Sequence, residues 1–206
     1  MSSDPQKANL NPLYNLILAS ASPRRKELLA GLIPNFRVMS SNAEELTSHP
    51  EGVGKLVQEN ARIKAESVAS MYPSSWVLGA DTVVAVGGKV LGKPKSMSEA
   101  EEMLLELSGT LHQVHTGLCL IHQQSNYLDC RKDTSSVHFR KLNSEVISQY
   151  YQTVNPLDKA GGYAIQTNAD LIVAKFEGSY SNVVGLPLEL LKSWLSELDL
   201  LEEKVQ

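Results

Sequence analysis

The segment WVLGADTVVAV, residues 76–86, is apolar along its length except at Asp81 and Thr82, and the V-G-G-K at its end supplies a two-residue hairpin turn into KVLGKP. A chain carrying such a hairpin is not all-helical. Upstream, LILASASPRRKELLAG (16–31) opens with a short apolar run and continues with Ser22 as an N-cap and Pro23 at the first helical position. This spacing predicts a strand over 16–19 and a helix from 23 to about 30. Hairpins and strand-to-helix units in one chain define an α/β fold whose sheet is mixed and bent or split around a cleft.

The rest of the chain agrees. FRVMS (36–40) reads as a second strand, and a helix over roughly 53–71 places Val53, Val57, Ala61 and Val68 on one face. Ser98 and Glu101 read as a capping box for a helix ending near Gly109, with Ala100, Met103, Leu104 and Leu107 inward. Residues 111–122 and 126–140 alternate as a long hairpin, and 143–152 is helical with Val146, Ile147 and Tyr150 inward. LIVAKF, the turn EGS, YSNVVGLP and a terminal helix over 187–198 complete the order. At 206 residues and 42% hydrophobic content the chain supports one domain, read as 14–200, with a loose polar leader at 1–13 and a polar tail at 201–206.

Charge narrows the function classes. The formal net charge is −4 and the basic residues are scattered, which argues against an extended nucleic-acid face but leaves room for a local anion pocket. No apolar run approaches the roughly 20 residues that span a bilayer, and the polar MSSDPQKANLNP is unlike a secretory signal, so a cytoplasmic, membrane-free protein is expected. Cys119 and Cys130 flank the turn-like QQSN and are read as reduced packing residues that face each other across a hairpin. His112 and His115 fall on opposite faces of one strand and are not joint metal ligands.

Four features stand out as chemistry. Arg24 and Arg25 lie in the first turn of a helix, where cations oppose the dipole; an anion bound at that N-terminus resolves the conflict, and the alternative is that both point to solvent. Lys64 interrupts the apolar face of the 53–71 helix, and its ammonium either snorkels past the core or reaches a cleft. Asp81 interrupts an otherwise buried strand, as a structural acceptor or as the reactive acid of a site. Asp158 and Lys159 adjoin paired glycines in PLDKAGGYAIQ, which suits either a tight turn or close approach to a ligand.

In order along the chain, S-A-S-P-R-R-K-E-L-L, N-A-E-E, G-A-D-T, G-K-P, D-K-A-G-G-Y-A-I-Q and N-V-V-G-L-P resemble the Maf family of nucleoside triphosphate pyrophosphatases, in the branch acting on dTTP and UTP. The resemblance covers about residues 16 to 188. It implies hydrolysis of dTTP, UTP or modified pyrimidine triphosphates to the monophosphate and pyrophosphate, in a nucleotide-pool house-cleaning role. It implies a two-lobed fold around a nucleotide cleft, similar to that of inosine triphosphate pyrophosphatases, and a homodimer. It makes Asp81 the proton acceptor, assigns substrate contacts to Ser20, Ser22, Arg24, Arg25, Lys64, Thr82, Lys93, Lys159 and Gln166, and places Mg2+ or Mn2+ on Glu45 and Asp81. Arg24, Thr82 and Gln166 together are expected to set pyrimidine preference. The chain departs from the family at Thr167, where glycine is frequent, and at Glu44-Glu45, where Asp-Glu is common; alignment from Ser41 selects Glu45 as the ligand. A second reading, also drawn from the resemblance, is a nucleotide-binding regulator of cell division or septum formation that acts through a partner.

Overall fold

The computed structural model describes residues 12–201. Residues 1–11 of the leader and 202–206 of the tail lie outside the described residues. A short 3-10 turn, Pro12–Asn15, leads into β1 (Leu16–Ala19), α1 (Pro23–Leu32), β2 (Arg37–Val38), α2 (Val53–Ala69), β3 (Trp76–Val86) and β4 (Lys89–Leu91). Then follow α3 (Met97–Leu107), β5 (Leu111–His122), β6 (Tyr127–Phe139), α4 (Ser144–Tyr151), α5 (Ala169–Ile172), β7 (Val173–Glu177), α6 (Tyr180–Val184) and α7 (Leu188–Glu197). The strands form one sheet in the order β2-β1-β3-β5-β6-β7, with β4 paired to β3. β1 runs parallel to β2 and β3, and the remaining pairs are antiparallel, so the sheet is mixed as expected.

Alternation along the strands sorts the core. Leu16, Leu18, Leu78, Ala80, Leu118 and Leu120 face α1 and α7, where they meet Leu29, Leu191, Trp194 and Leu195. Their neighbours Ile17, Ala19, Val77, Cys119 and Ile121 face the opposite way, onto Ala61, Ala65, Val68 and Ala69 of α2. Farther along the same strands a separate core forms, in which Val84, Val114, Val137 and Phe139 pack on Leu104 and Leu107 of α3, Ile147 and Tyr150 of α4, and Tyr163. The long strands β3, β5 and β6 therefore carry two lobes, and the cleft opens where one core gives way to the other.

Helix α2 is pressed against the sheet by two notches. A Cβ built on Gly79 would lie 2.1 Å from the Ala61 carbonyl oxygen, and one on Gly117 would lie 2.2 Å from that of Val57. Only glycine admits this approach.

Local details differ from the sequence expectations, as at Val146, which stays half-buried while Ile147 and Tyr150 of α4 enter the core. The cap of α3 is Ser96, whose Oγ accepts from the Glu99 N–H at 3.2 Å while Glu99 Oε2 accepts from the Lys95 N–H at 2.6 Å, so the box is shifted two residues from Ser98 and Glu101. Both pairs carry the S-x-x-E spacing, and packing of the helix decides between them. The second strand keeps only Arg37–Val38, which pair with Ile17 and Leu18 of β1. Cys119 and Cys130 are direct cross-strand partners with free thiols. His112 is buried against Tyr163, with Nε2 2.9 Å from its hydroxyl, and His115 faces the other side beside Thr134.

Candidate active site

Consecutive residues of β3 build two sides of the cleft. Asp81 shares strand parity with Val77 and Gly79 and so faces α2, whereas Thr82 shares parity with Leu78 and Ala80 and faces α1. A one-residue slip would exchange them. The cleft has a volume of about 680 Å³, in the range of small-ligand sites.

On the α2 side, Lys64 Nζ lies 2.7 Å from Asp81 Oδ1 and 2.9 Å from Glu45 Oε2. The Lys64 side chain is 13% exposed and its ammonium lies between Glu45 and Asp81, both lining the cleft, which favours the cleft reading of that residue. Asn60, one turn earlier on the same helix, donates from Nδ2 to Asp81 Oδ2 at 3.2 Å. Burial pushes the Asp81 carboxyl up, but Lys64, the nearby Arg25 guanidinium and the Asn60 amide together outweigh it and hold the carboxyl below its ordinary value. Asp81 is thus an ionised, nearly buried carboxylate at neutral pH.

The two arginines of α1 have different surroundings. Ser22 caps the helix, accepting from the Arg25 N–H at 3.4 Å, and no acidic residue sits in the first turn. Arg24 reaches across the cleft to Asp158, with Nη1 2.5 Å from Oδ2 and Nη2 2.9 Å from the carbonyl oxygen. Asp158 also accepts from Lys159 Nζ at 2.6 Å, and these charges hold its carboxyl below its ordinary value against the opposing effect of burial. Arg25 turns inward. Its donors go to the carbonyls of Gly185 at 2.8 Å and Ala80 at 2.9 Å, to Thr82 Oγ1 at 2.8 Å and to Ser20 Oγ at 3.3 Å. Thr82 Oγ1 in turn lies 2.9 Å from Thr116 Oγ1, which donates to the Asn182 carbonyl at 3.1 Å, so N-V-V-G-L-P is tied to the cleft floor.

Ser20, Ser22, Arg24, Arg25, Glu45, Lys64, Asp81, Thr82, Lys93 and Lys159 all line the cleft. Glu44 does not line it and Glu45 does. Lys93 stands exposed at the rim and, among the described residues, has no carboxylate partner. Gln166 is exposed and lies outside the lining. Two further residues enter the site: Asp158, from the PLDKAGGYAIQ stretch already singled out in the sequence, and Asn60, which the sequence did not single out. Asp158 competes with any anion for Arg24, and Asn60 touches Asp81; the available signal for Asn60 was a polar residue four before Lys64 on the apolar face of a helix.

The mixed α/β sheet, with its cation-lined, carboxylate-bearing cleft at a helix N-terminus, has the fold seen in the solved Staphylococcus aureus Ham1 protein. That structure matches with a TM-score of 0.55 at 16% identity, over 89% of this chain and 98% of the other, a likeness of fold. The model of the Maf family, described as Maf-like protein, matches residues 15–198, and the chain belongs to that family. Similar relatives include the dTTP/UTP pyrophosphatase of Myxococcus xanthus (strain DK1622), 49% identical over 84% of this chain and 87% of its own length. The dTTP/UTP pyrophosphatase of Thermococcus gammatolerans (strain DSM 15229 / JCM 11827 / EJ3) is 48% identical over 85% of this chain and 92% of its own. Among the described residues no helix is long and apolar enough to cross a membrane.

Proposed function

We propose that this protein hydrolyses dTTP and UTP to the nucleoside monophosphate and pyrophosphate. The observation that carries the proposal is the meeting of Asp81, Glu45 and Lys64 on one wall of a cleft whose other wall is the capped N-terminus of α1. A triphosphate carries about four negative charges, and its cleavage depends on positioning and on stabilising charge that moves onto the leaving pyrophosphate. The N–H groups of α1, the hydroxyls of Ser20 and Ser22, and the cations of Arg24, Lys64, Lys93 and Lys159 supply that field. Arg25 acts from behind, holding Thr82 and the Gly185 carbonyl in place. Asp81 accepts the proton of the attacking water; each of its oxygens keeps a lone pair beyond its present bond.

The donor set suits a hard divalent cation. Carboxylates of Glu45 and Asp81, from different elements, converge on a single positive centre, the Lys64 ammonium. No group of three His, Cys, Asp or Glu gathers among the described residues, and Mg2+ or Mn2+ is commonly held by one or two carboxylates together with substrate phosphates. Bound there, such an ion would supply neutralisation of phosphate oxygens and acidification of water.

Pyrimidine preference rests on the relatives' activities, since Gln166 stands outside the cleft and the Thr82 hydroxyl already has partners. By the same resemblance the working unit is a cytoplasmic homodimer, which sedimentation of the purified protein checks. The test of function is a nucleoside triphosphate panel with Mg2+ or Mn2+, read separately for phosphate and pyrophosphate. One pyrophosphate per monophosphate, with UTP and dTTP ahead of CTP, is the expected result. Binding without turnover would instead support the regulator, and release of orthophosphate alone would refute the cleavage position.

A further inference from the structure

We infer that Asn60 is a positioning residue that locks the Glu45 loop to the Asp81 carboxylate, an inference that rests on the pyrophosphatase reading of the cleft. Residues 39–52, between β2 and α2, contain neither helix nor strand, so the place of Glu45 depends on bonds made outside regular structure. Next to Glu45, Leu46 has both its backbone groups taken by one side chain. Asn60 Oδ1 accepts from the Leu46 N–H at 2.8 Å, and Asn60 Nδ2 donates to the Leu46 carbonyl at 3.0 Å. The second hydrogen of the same Nδ2 goes to Asp81 Oδ2 at 3.2 Å. The amide orientation follows from its neighbours, because a flip would set its oxygen against a carbonyl and a carboxylate.

Asn60 is 2% exposed, which makes each of these bonds costly to lose. Its distance from Asp81 is set by the notch at Gly79, where α2 rests on the sheet beside Ala61. The amide thus transmits a rigid helix-to-strand spacing to an irregular loop, and Lys64 closes the arrangement by bonding both carboxylates. Few side chains can do this. Aspartate has the acceptor for Leu46 but no donor for Asp81, and leucine has neither.

The test compares wild type with Asn60→Leu and Asn60→Asp, using UTP and Mg2+ for kinetics and hydrogen exchange of the metal-free proteins for structure. Loss of such an outer partner should lower kcat by about 10- to 100-fold. KM should change by less than about threefold, because the phosphate-binding groups of α1 are untouched. Exchange in 39–52 should rise strongly in both Asn60→Leu and Asn60→Asp, while the α3 and α4 lobe stays protected. Wild-type kcat in both variants, a change confined to KM, or exchange that rises throughout the protein overturns the inference, as does failure of both variants to fold. A wild type with no turnover sinks the pyrophosphatase reading instead, and the exchange comparison still decides whether Asn60 holds the loop.

Discussion

Replacing Lys64 by methionine removes one charge from the cleft and keeps the stem that packs along α2. The side chains of Lys64 and Asp81 are 13% and 7% exposed, so the pair belongs with buried ion pairs, whose disruption typically costs about 3–5 kcal/mol. The lower end applies here, because Arg25 and Asn60 still favour the Asp81 anion. A loss of about 3 kcal/mol in a domain of this size lowers Tm by about 6–12 °C. The sign with pH follows from the carboxyl. In the wild type the folded Asp81 pKa lies below its unfolded value, so its contribution is fully present above the ordinary carboxyl value of about 4 and is lost as pH falls below that through the depressed folded value. In Lys64→Met burial acts with less opposition and raises the folded pKa, so the variant's penalty is greatest at neutral pH and fades on acidification. Melting both proteins by circular dichroism in chelator, from pH 8 to about pH 2.5, should show a gap that is widest near neutrality and narrows toward the acid end. A Tm loss under about 2 °C at neutral pH, less than 1 kcal/mol on the same scale, or a gap independent of pH, would refute the assignment of Lys64 as the counter-charge of Asp81.

Asp81→Asn keeps the side-chain shape and removes the proposed proton acceptor, so turnover of UTP should fall by about 10²–10⁴-fold in a protein that still melts cooperatively; near-normal turnover at saturating metal and substrate would count against the base. Arg24→Ala should raise KM for UTP by roughly tenfold, the worth of about one charge-assisted hydrogen bond. Because its partner Asp158 is nearly half exposed, the same change should cost no more than about 1 kcal/mol in urea unfolding, and a larger loss with unchanged KM would make Arg24 a structural strut. Gly79→Ala drives a methyl group into the Ala61 carbonyl oxygen and should cost about 3 kcal/mol in the same unfolding assay, whereas a stability within 0.5 kcal/mol of wild type, taken as roughly neutral, would show that α2 is not seated in that notch.

Much of this site was readable from residue order alone. Ser22 and Pro23 specify where α1 begins, because capping and a preset φ act within a few residues, and the V-G-G-K turn specifies the β3–β4 hairpin for the same reason. The conflict of Arg24 and Arg25 with the helix dipole, the lysine in an apolar stripe and the carboxylate in an apolar strand each signalled chemistry, since an uncompensated charge is unfavourable wherever it falls. What each charge meets was decided only by the tertiary structure. Strand parity sends Asp81 toward α2 and Thr82 toward α1, and the glycine notches set how closely α2 approaches. Arg24 finds Asp158 and Arg25 finds the Gly185 carbonyl, partners 134 and 160 residues away in the chain, and no local spacing distinguishes those two fates. Gln166, the last residue of its motif in sequence, stands outside the cleft, while Asn60, an ordinary polar residue in a helix, lies against the carboxylate. Local propensity acts over one turn of backbone, whereas a site is assembled from side chains whose meeting depends on how whole elements stack.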